Sequence, residues 1–146
     1  MWLREYPRLL FKERRLVWSK HELKDKAIEG MGIGKQILVS LYSFGEIEDA
    51  QVIPESAVVD VLMFTGIEAD LKKLGILSND KSYLIFDGEE YYLILEREAN
   101  LKDLDKIEQE YVSFGVKLNK DPLRMVILPN TFNQKTKIKC EIVWKK

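Results

Sequence analysis

Two apolar runs, Ser82–Phe86 and residues 91–96, flank Asp87-Gly88-Glu89-Glu90 near the middle of the chain, and no other feature restricts the fold as tightly. Glycine enters the positive-φ region that a tight reversal needs. An aspartate before it bonds to the backbone of the turn, so the pattern predicts a β-hairpin. A lone hairpin is at best marginally stable in water, so it needs further strands and a covering layer. The flanking sequence supplies both. Residues 57–65 form an apolar run broken only by Asp60, as expected of a central strand. Ile67, Leu71, Leu74 and Leu77 recur at helical spacing, and Gly75 is expected to close that helix. Asn100 is placed to cap a second helix over residues 101–114, with Leu101, Leu104, Ile107 and Tyr111 on one face and Gly115 at its end. Residues 37–44, 124–128 and 137–144 read as further strands, and residues 45–56, with Pro54, as a polar connection. The centre therefore reads β-α-β-β-α-β with an additional strand on each side. This is an α+β fold, with a mostly antiparallel sheet backed by helices.

Residues 1–35 lie outside this core. Over residues 3–29, apolar and charged groups alternate at spacings compatible with a helix, which Leu3, Leu10 and Trp18 would line and Pro7 would start or interrupt. An N-terminal helical segment packed on a domain of residues 36–146 is the expected organisation. The stretch Gly30-Met31-Gly32-Ile33-Gly34-Lys35 has glycines spaced as in a phosphate loop, but it lacks the Lys-Ser/Thr ending and follows no strand. A turn is its expected role.

The 146 residues are one domain's length, and a hydrophobic fraction of 46% suffices for a core without disulfides or structural metal. One cysteine, Cys140, excludes an intrachain disulfide. One histidine, His21, leaves almost nothing for a His/Cys zinc site or a histidine-dependent hydrolase. The longest apolar runs fall far short of the roughly 20 residues of a membrane span. The first residues lack the apolar core of a secretory signal. A soluble, cytoplasmic protein without membrane contact is expected. Abundant Lys, Glu and Ile with scarce Gln, His and Cys point to a thermophilic source.

Charge is balanced overall at −1 but segregated along the chain: residues 1–29 carry +3, residues 36–71 carry −7 and residues 117–146 carry +6. The balance argues against a wholly basic nucleic-acid binder, not against a basic face on an acidic body.

Three segments in order carry a resemblance. The first is Gln36-Ile-Leu-Val-Ser-Leu-Tyr-Ser-Phe-Gly-Glu-Ile-Glu-Asp49, continued by Glu55-Ser-Ala-Val-Val-Asp60 and Phe64. The second is Tyr83-Leu-Ile-Phe-Asp-Gly-Glu-Glu-Tyr-Tyr-Leu-Ile-Leu95, and the third is Asp121-Pro-Leu-Arg-Met-Val-Ile-Leu-Pro-Asn-Thr-Phe-Asn-Gln-Lys-Thr136. Together, over about residues 36–144, the chain resembles the archaeo-eukaryotic primase superfamily, especially its small primase–polymerase-like members. The resemblance implies a nucleotidyl-transfer site in which two divalent ions clamp the attacking and leaving oxygens, held by an Asp-x-Asp pair and a later acid. It also implies a Ser-Gly turn followed by a histidine that holds nucleotide phosphates.

This chain departs from that pattern. Thr65 and Ile67 stand where the Asp-x-Asp pair belongs, Asp87 replaces the turn serine, and Tyr92 falls at the histidine. Asp87, Glu89 and Glu90 would repel phosphates at close range. Asp121 matches a metal-associated acid but is one carboxylate only. Thr65, Asp87, Tyr92 and Asp121 are thus read as remnants of a degenerate site, with no catalytic residue, metal or other cofactor expected. Asp60 is read either as a ligand or as a paired structural aspartate.

Arg124, Asn130, Asn133, Lys135 and Lys137 belong to the matching stretch, and Lys139 extends it; these are the candidate nucleic-acid contacts. Alternate residues of a strand share a face, so Lys135, Lys137 and Lys139 are expected to form a row, which serves either phosphate contact or protection of an edge strand. Of Tyr91 and Tyr92, one is expected in the core and the other is available to stack on a base. The leading expectation is a catalytically inactive primase-like accessory protein that binds single-stranded nucleic acid or a replication or repair partner. A protein-interaction module retaining only the fold is the second. A residual nucleotidyltransferase with a metal site rebuilt from Asp60, Asp87 and Asp121 is the third.

Overall fold

In the computed structural model, which describes residues 8–12, 15–19, 36, 38–44, 47–48, 51–52, 54 and 57–146, the predicted hairpin pairs antiparallel from Tyr91↔Phe86 to Leu95↔Ser82. Along the chain the strands are β1 (Arg8–Lys12), β2 (Arg15–Ser19), β3 (Leu38–Ser40), β4 (Ser43–Phe44), β5 (Ile47–Glu48), β6 (Gln51–Val52), β7 (Ala57–Val58), β8 (Leu62–Thr65), β9 (Ser82–Phe86), β10 (Tyr91–Leu95), β11 (Lys117–Leu118), β12 (Met125–Ile127) and β13 (Glu141–Lys145). The helices are α1 (Glu68–Leu77) and α2 (Leu104–Glu110).

The larger sheet has the order β11-β8-β10-β9-β13 with every pair antiparallel. Since β8 and β9 both oppose β10, they run parallel to each other with β10 between them and α1 joining them. In the same way β10 and β11 flank β8 and are joined by α2. Two interleaved β-α-β units of this kind make a β-α-β-β-α-β centre, but its last strand is β11: the strand expected there, residues 124–128, becomes β12 of the second sheet, because β11 takes the free edge of β8 directly after the second helical segment.

Alternation along the strands decides what each sheet face meets. Leu93 and its partners Phe64 and Leu84 face the helices. The Phe64 ring lies 4.7 Å from that of Tyr111, at the end of α2. Gly75 of α1 comes so close to the sheet that a Cβ there would lie 2.6 Å from the Trp144 ring and 3.3 Å from Leu93. Gly75 therefore lets α1 lie on the sheet rather than closing it. The open helix end is met instead by Lys146, whose Nζ donates to the carbonyls of Gly75, Ile76 and Ser78. Leu71 and Leu74 are buried, but Ile67 is 66% and Leu77 61% exposed. Ile67 precedes the first helical turn with extended backbone, and Leu77 points about 120° around the helix from Leu71. The second helical segment is α2 between two 3₁₀ turns, Leu101–Asp103 and Val112–Phe114, and ends at Gly115 with φ 71°. Asn100 starts it without capping it: its amide donates to Asp103 Oδ2 at 3.3 Å.

The opposite face carries Tyr92 and Ile94 and meets the second sheet, of order β12-β3-β1-β2. Val39, Leu41, Val126 and Leu128 from that side join Met63, Ile85, Tyr92 and Ile94 in one buried cluster.

Several expectations are corrected. The helix expected over residues 3–29 is replaced, where the chain is described, by the β1–β2 hairpin, with Leu10 opposite Val17 and Phe11 opposite Leu16. Its three proposed anchors were too sparse to separate a helical period from two short apolar runs around a charged reversal. Residues 1–7, 13–14 and 20–35, with His21 and the Gly30–Lys35 stretch, lie outside the described residues. The run 57–65 serves three partners: β7 pairs with β4, Val59 bridges Ala99, and β8 enters the large sheet. The polar connection 45–56 contains the small β5–β6 pair. The strand expected over 37–44 divides into β3 and β4, and the last strand starts at Glu141 rather than at Lys137.

Filling the space above Gly75 tests this packing. Gly75→Val is expected to lower the unfolding free energy by about 2 kcal/mol through overpacking. In a Trp144→Leu background most of that effect is expected to vanish. Denaturant titration of the four proteins measures both, and an equal destabilisation in the two backgrounds would contradict the close approach.

Candidate functional site

The hairpin tip is a self-contained turn. Asp87 Oδ1 accepts from the Glu89 and Glu90 amides, each at 2.9 Å, and the Asp87 amide donates to the Glu90 carbonyl at 3.1 Å. Gly88 holds φ 97°, where a side chain is strained. A Cβ there would also meet Thr136 Oγ1 at 2.7 Å and Asn133 Cβ at 2.8 Å, so the tip is pressed onto another turn.

That second turn lies within residues 130–140. Asn133 is buried, and its Oδ1 accepts from the Lys135 and Thr136 amides at 2.9 and 3.2 Å. The Asn133 Nδ2 donates across to the Asp87 carbonyl at 3.0 Å and to Glu89 Oε1 at 3.4 Å. Asn133 thus locks the two turns together rather than presenting itself to a ligand. Asn130 is exposed, with φ 74°, and Lys137 has φ 63°. Lys139 pairs with Phe132 in an isolated bridge. The expected strand row of Lys135, Lys137 and Lys139 does not form, because the positive φ at Lys137 breaks period-two alternation. All three lysines are nevertheless exposed on this turn.

Sequence reading missed what these cations face. Lys135 Nζ lies 3.4 Å from Glu89 Oε2, and an Arg124 guanidinium nitrogen lies 3.4 Å from Glu90 Oε1. The partners are 46 and 34 positions apart, so no local pattern signals them. Between the tip, the turn and the second sheet lies an open groove of about 760 Å³. Leu38 and Ile127 line it together with the tip carboxylates, Gln36, Asn133 and Lys135. Gln36 Oε1 accepts from the Gln134 amide at 2.7 Å, so the groove's polar rim is largely bonded to itself.

Of the four expected remnants, Thr65 and Tyr92 stand together, and Asp87 lies at the tip of the hairpin that carries Tyr92. Thr65 and Tyr92 are cross-strand partners on one face, and the charge of Asp87 acts on Tyr92. Tyr92 is fully buried, and Tyr91, on the other face, is half-buried with its ring 4.7 Å from Phe86. Tyr92 is thereby the core member of the pair. Its hydroxyl makes no hydrogen bond of ordinary geometry. Burial pushes its pKa well above the usual tyrosine value, and the charges of Cys140 and Asp87 push the same way. Burial likewise pushes the Cys140 thiol up to about 12, reinforced by Asp87. The thiol Sγ lies 3.5 Å from the Ile127 carbonyl, in the space between the sheets.

Asp121 belongs elsewhere. From Lys117↔Thr65 the register runs back along β8, with the Asn119 amide on the Met63 carbonyl, toward the end where Asp60 sits. There the Tyr42 hydroxyl donates to the Asn119 carbonyl at 3.2 Å. Burial first, then the charges of Asp60 and Asp121, raise Tyr42 to about 12 against the Asn119 hydrogen bond. Asp121 Oδ1 also accepts from the Leu123 amide at 2.9 Å. The four residues of β8 separate the two ends by about 10 Å. Among the described residues no group of three or more His, Cys, Asp or Glu side chains is placed to hold a metal ion, so Asp60, Asp87 and Asp121 do not form the rebuilt site of the third reading. As placed, Thr65, Ile67, Asp60, Asp87 and Asp121 do not fit the two-metal chemistry that the resemblance implies. Also among the described residues, no helix is long and apolar enough to cross a membrane.

Compared with protein-family models and with curated proteins, the chain matches none.

Two measurements probe the buried face. Tyr92→Phe is expected to cost no more than about 1 kcal/mol, because the buried hydroxyl has only the Cys140 thiol, a weak partner, beside it; a loss of twice that size on chemical denaturation would refute it. The second is pH dependence. Below pH 9 both folded and unfolded states keep the Cys140 proton. Between pH 9 and about 12 only the folded state keeps it, so stability falls as pH rises through that window. Cys140→Ala is expected to flatten this fall, by up to about 1.4 kcal/mol per pH unit. Denaturation midpoints of both proteins across that range check it.

Proposed function

We propose that the chain is a catalytically inactive, primase-like accessory protein that binds single-stranded nucleic acid through the cations of the 130–140 turn and Arg124. The observation that carries this reading is the display of Lys135, Lys137 and Lys139 on one pinned turn beside Arg124, all exposed or half-exposed. Such a cluster meets successive phosphates without reading bases, and affinity then follows counterion release. The side-chain chemistry at Thr65, Ile67 and Tyr92 supports binding without nucleotidyl transfer, since none is a carboxylate or histidine. A replication or repair protein is the partner class the resemblance suggests.

A second reading, protein docking, rests on a separate observation. Ile76 and Leu77 of α1, Ile67 before it and Val112 in the 3₁₀ turn are all more than half exposed. The turn packs against α1, so Val112 lies on an element next to the helix that carries Ile76 and Leu77 and follows Ile67. Exposed large apolar side chains on adjoining elements favour a protein partner over water where they form a continuous patch.

Oligonucleotide binding at several salt concentrations tests the first reading. Lys135→Gln, Lys137→Gln and Lys139→Gln combined are expected to weaken binding across all sequences. The slope of log affinity against log salt is expected to flatten by roughly 0.7 for each phosphate that is no longer neutralised. Stability is expected to change by no more than about 0.5 kcal/mol per substitution, as is usual for exposed sites. A folded triple variant with unchanged affinity and slope would remove this surface. With Mg²⁺ or Mn²⁺ no template-directed incorporation is expected, and incorporation that disappears in Asp121→Ala would overturn the inactive assignment.

A further inference from the structure

We propose that the acidic hairpin tip is a built-in competitor for the phosphates that the cationic turn binds, so that Glu89 and Glu90 gate the surface assigned to nucleic acid. The inference deepens that assignment and rests on it. Glu89 reaches Lys135, and Glu90 reaches Arg124, each at 3.4 Å. Two carboxylates of one tip therefore stand at two of the cations that a phosphodiester chain would meet.

What makes this more than chance surface pairing is the anchoring of the tip. Exposed ion pairs between free side chains contribute little, because ordering both partners offsets the attraction. Here the backbone beneath both partners is already fixed. Asp87 closes one turn, Asn133 closes the other, Asn133 Nδ2 joins them, and Gly88 packs where no side chain fits. Glu89 is held by two donors, Asn133 Nδ2 and Lys135 Nζ. Yet the lysine side chain is 78% exposed and the Glu89 side chain 43%, so either can swing aside without unfolding anything. Rigid turns below exposed, mobile charges are what reversible competition needs. A polyanion displaces the carboxylates when its own charge density exceeds theirs, and an isolated phosphate gains little. Lys137 and Lys139 have no side-chain ion pair or hydrogen bond to another described residue, and provide first contact.

The test is a double-mutant cycle on binding of a fluorescein-labelled oligothymidylate at low salt. Glu89→Gln with Glu90→Gln is expected to tighten binding roughly 3- to 10-fold, as the release of two partly exposed ion pairs allows. Inorganic phosphate is expected to compete no better with the variant than with the parent chain. In a Lys135→Gln background, Glu89→Gln alone is expected to give no gain, whereas it does so with Lys135 present. Both substitutions lie on exposed side chains, and melting curves confirm folding. For the Glu90 arm Arg124→Lys replaces deeper truncation, since Arg124 is partly buried. An equal gain from Glu89→Gln with and without Lys135 would reveal a general field effect and overturn the gate. Binding that is unchanged in the double glutamine variant would overturn the gate alone and leave the nucleic-acid reading standing. Absence of binding by both the parent chain and the glutamine variant would overturn the nucleic-acid reading, and the gate with it.

Discussion

The rest of the structure depends on β10 being hydrogen-bonded along both edges and covered on both faces. β8 and β9 flank it, and Tyr92 through Leu95 are buried without exposed surface. Such a strand has one tolerable position, the middle of a sheet between two layers. Helices answer its Leu93 side, with Gly75 giving α1 the close approach that Trp144 and Leu93 demand. The second sheet answers the Tyr92 side with Val39, Val126 and Leu128, and Cys140 lies beside the tyrosine. The two helices and the buried residues of β3 and β12 each belong to one of these two faces.

This arrangement also decides what lies at the sheet end from which the hairpin projects. Position 92 is where the resemblance would place a phosphate-holding histidine. Here a large apolar ring fills that place, and its thiol neighbour is pushed toward permanent protonation by burial. Groups that keep their protons through the physiological range, in a space closed by packing, stabilise the fold and offer no general base. The chemistry accessible to solvent lies instead on the rim, in the charges of two interlocked turns. Those charges are weak one by one, but the turns beneath them are fixed by Asp87, Gly88 and Asn133.

The candidate site was legible in the sequence to different depths at different residues. Asp87 and Gly88 act as their local chemistry requires, because a turn is settled by residues adjacent in the chain. Thr65 and Tyr92 come together because hairpin and sheet register follow from the apolar runs. Asp121 does not join them: three residues beyond β11, its place follows the turn after that strand, which no periodicity encodes. The lysine row failed at Lys137, where one positive φ, imposed by the Asn133 turn, outweighs the alternation that the letters suggest. The ion pairs of Glu89 and Glu90 were invisible because they join segments that only the packed sheets bring together.

The sequence by itself determined the hairpin, the two helices that cover it and the order β-α-β-β that leads into the second helix. Each of these rests on side-chain period or on a turn residue, and both act over a few neighbouring positions. Tertiary structure alone decided the rest. It made strands of Arg8–Lys12 and Arg15–Ser19, divided residues 57–65 among three partners, and chose Tyr92 rather than Tyr91 for the interior. It also set an acidic tip against a basic turn. The physical reason is one and the same. A strand's pattern states that one face is apolar but not which partner covers it, and that choice follows from burying all such faces at once.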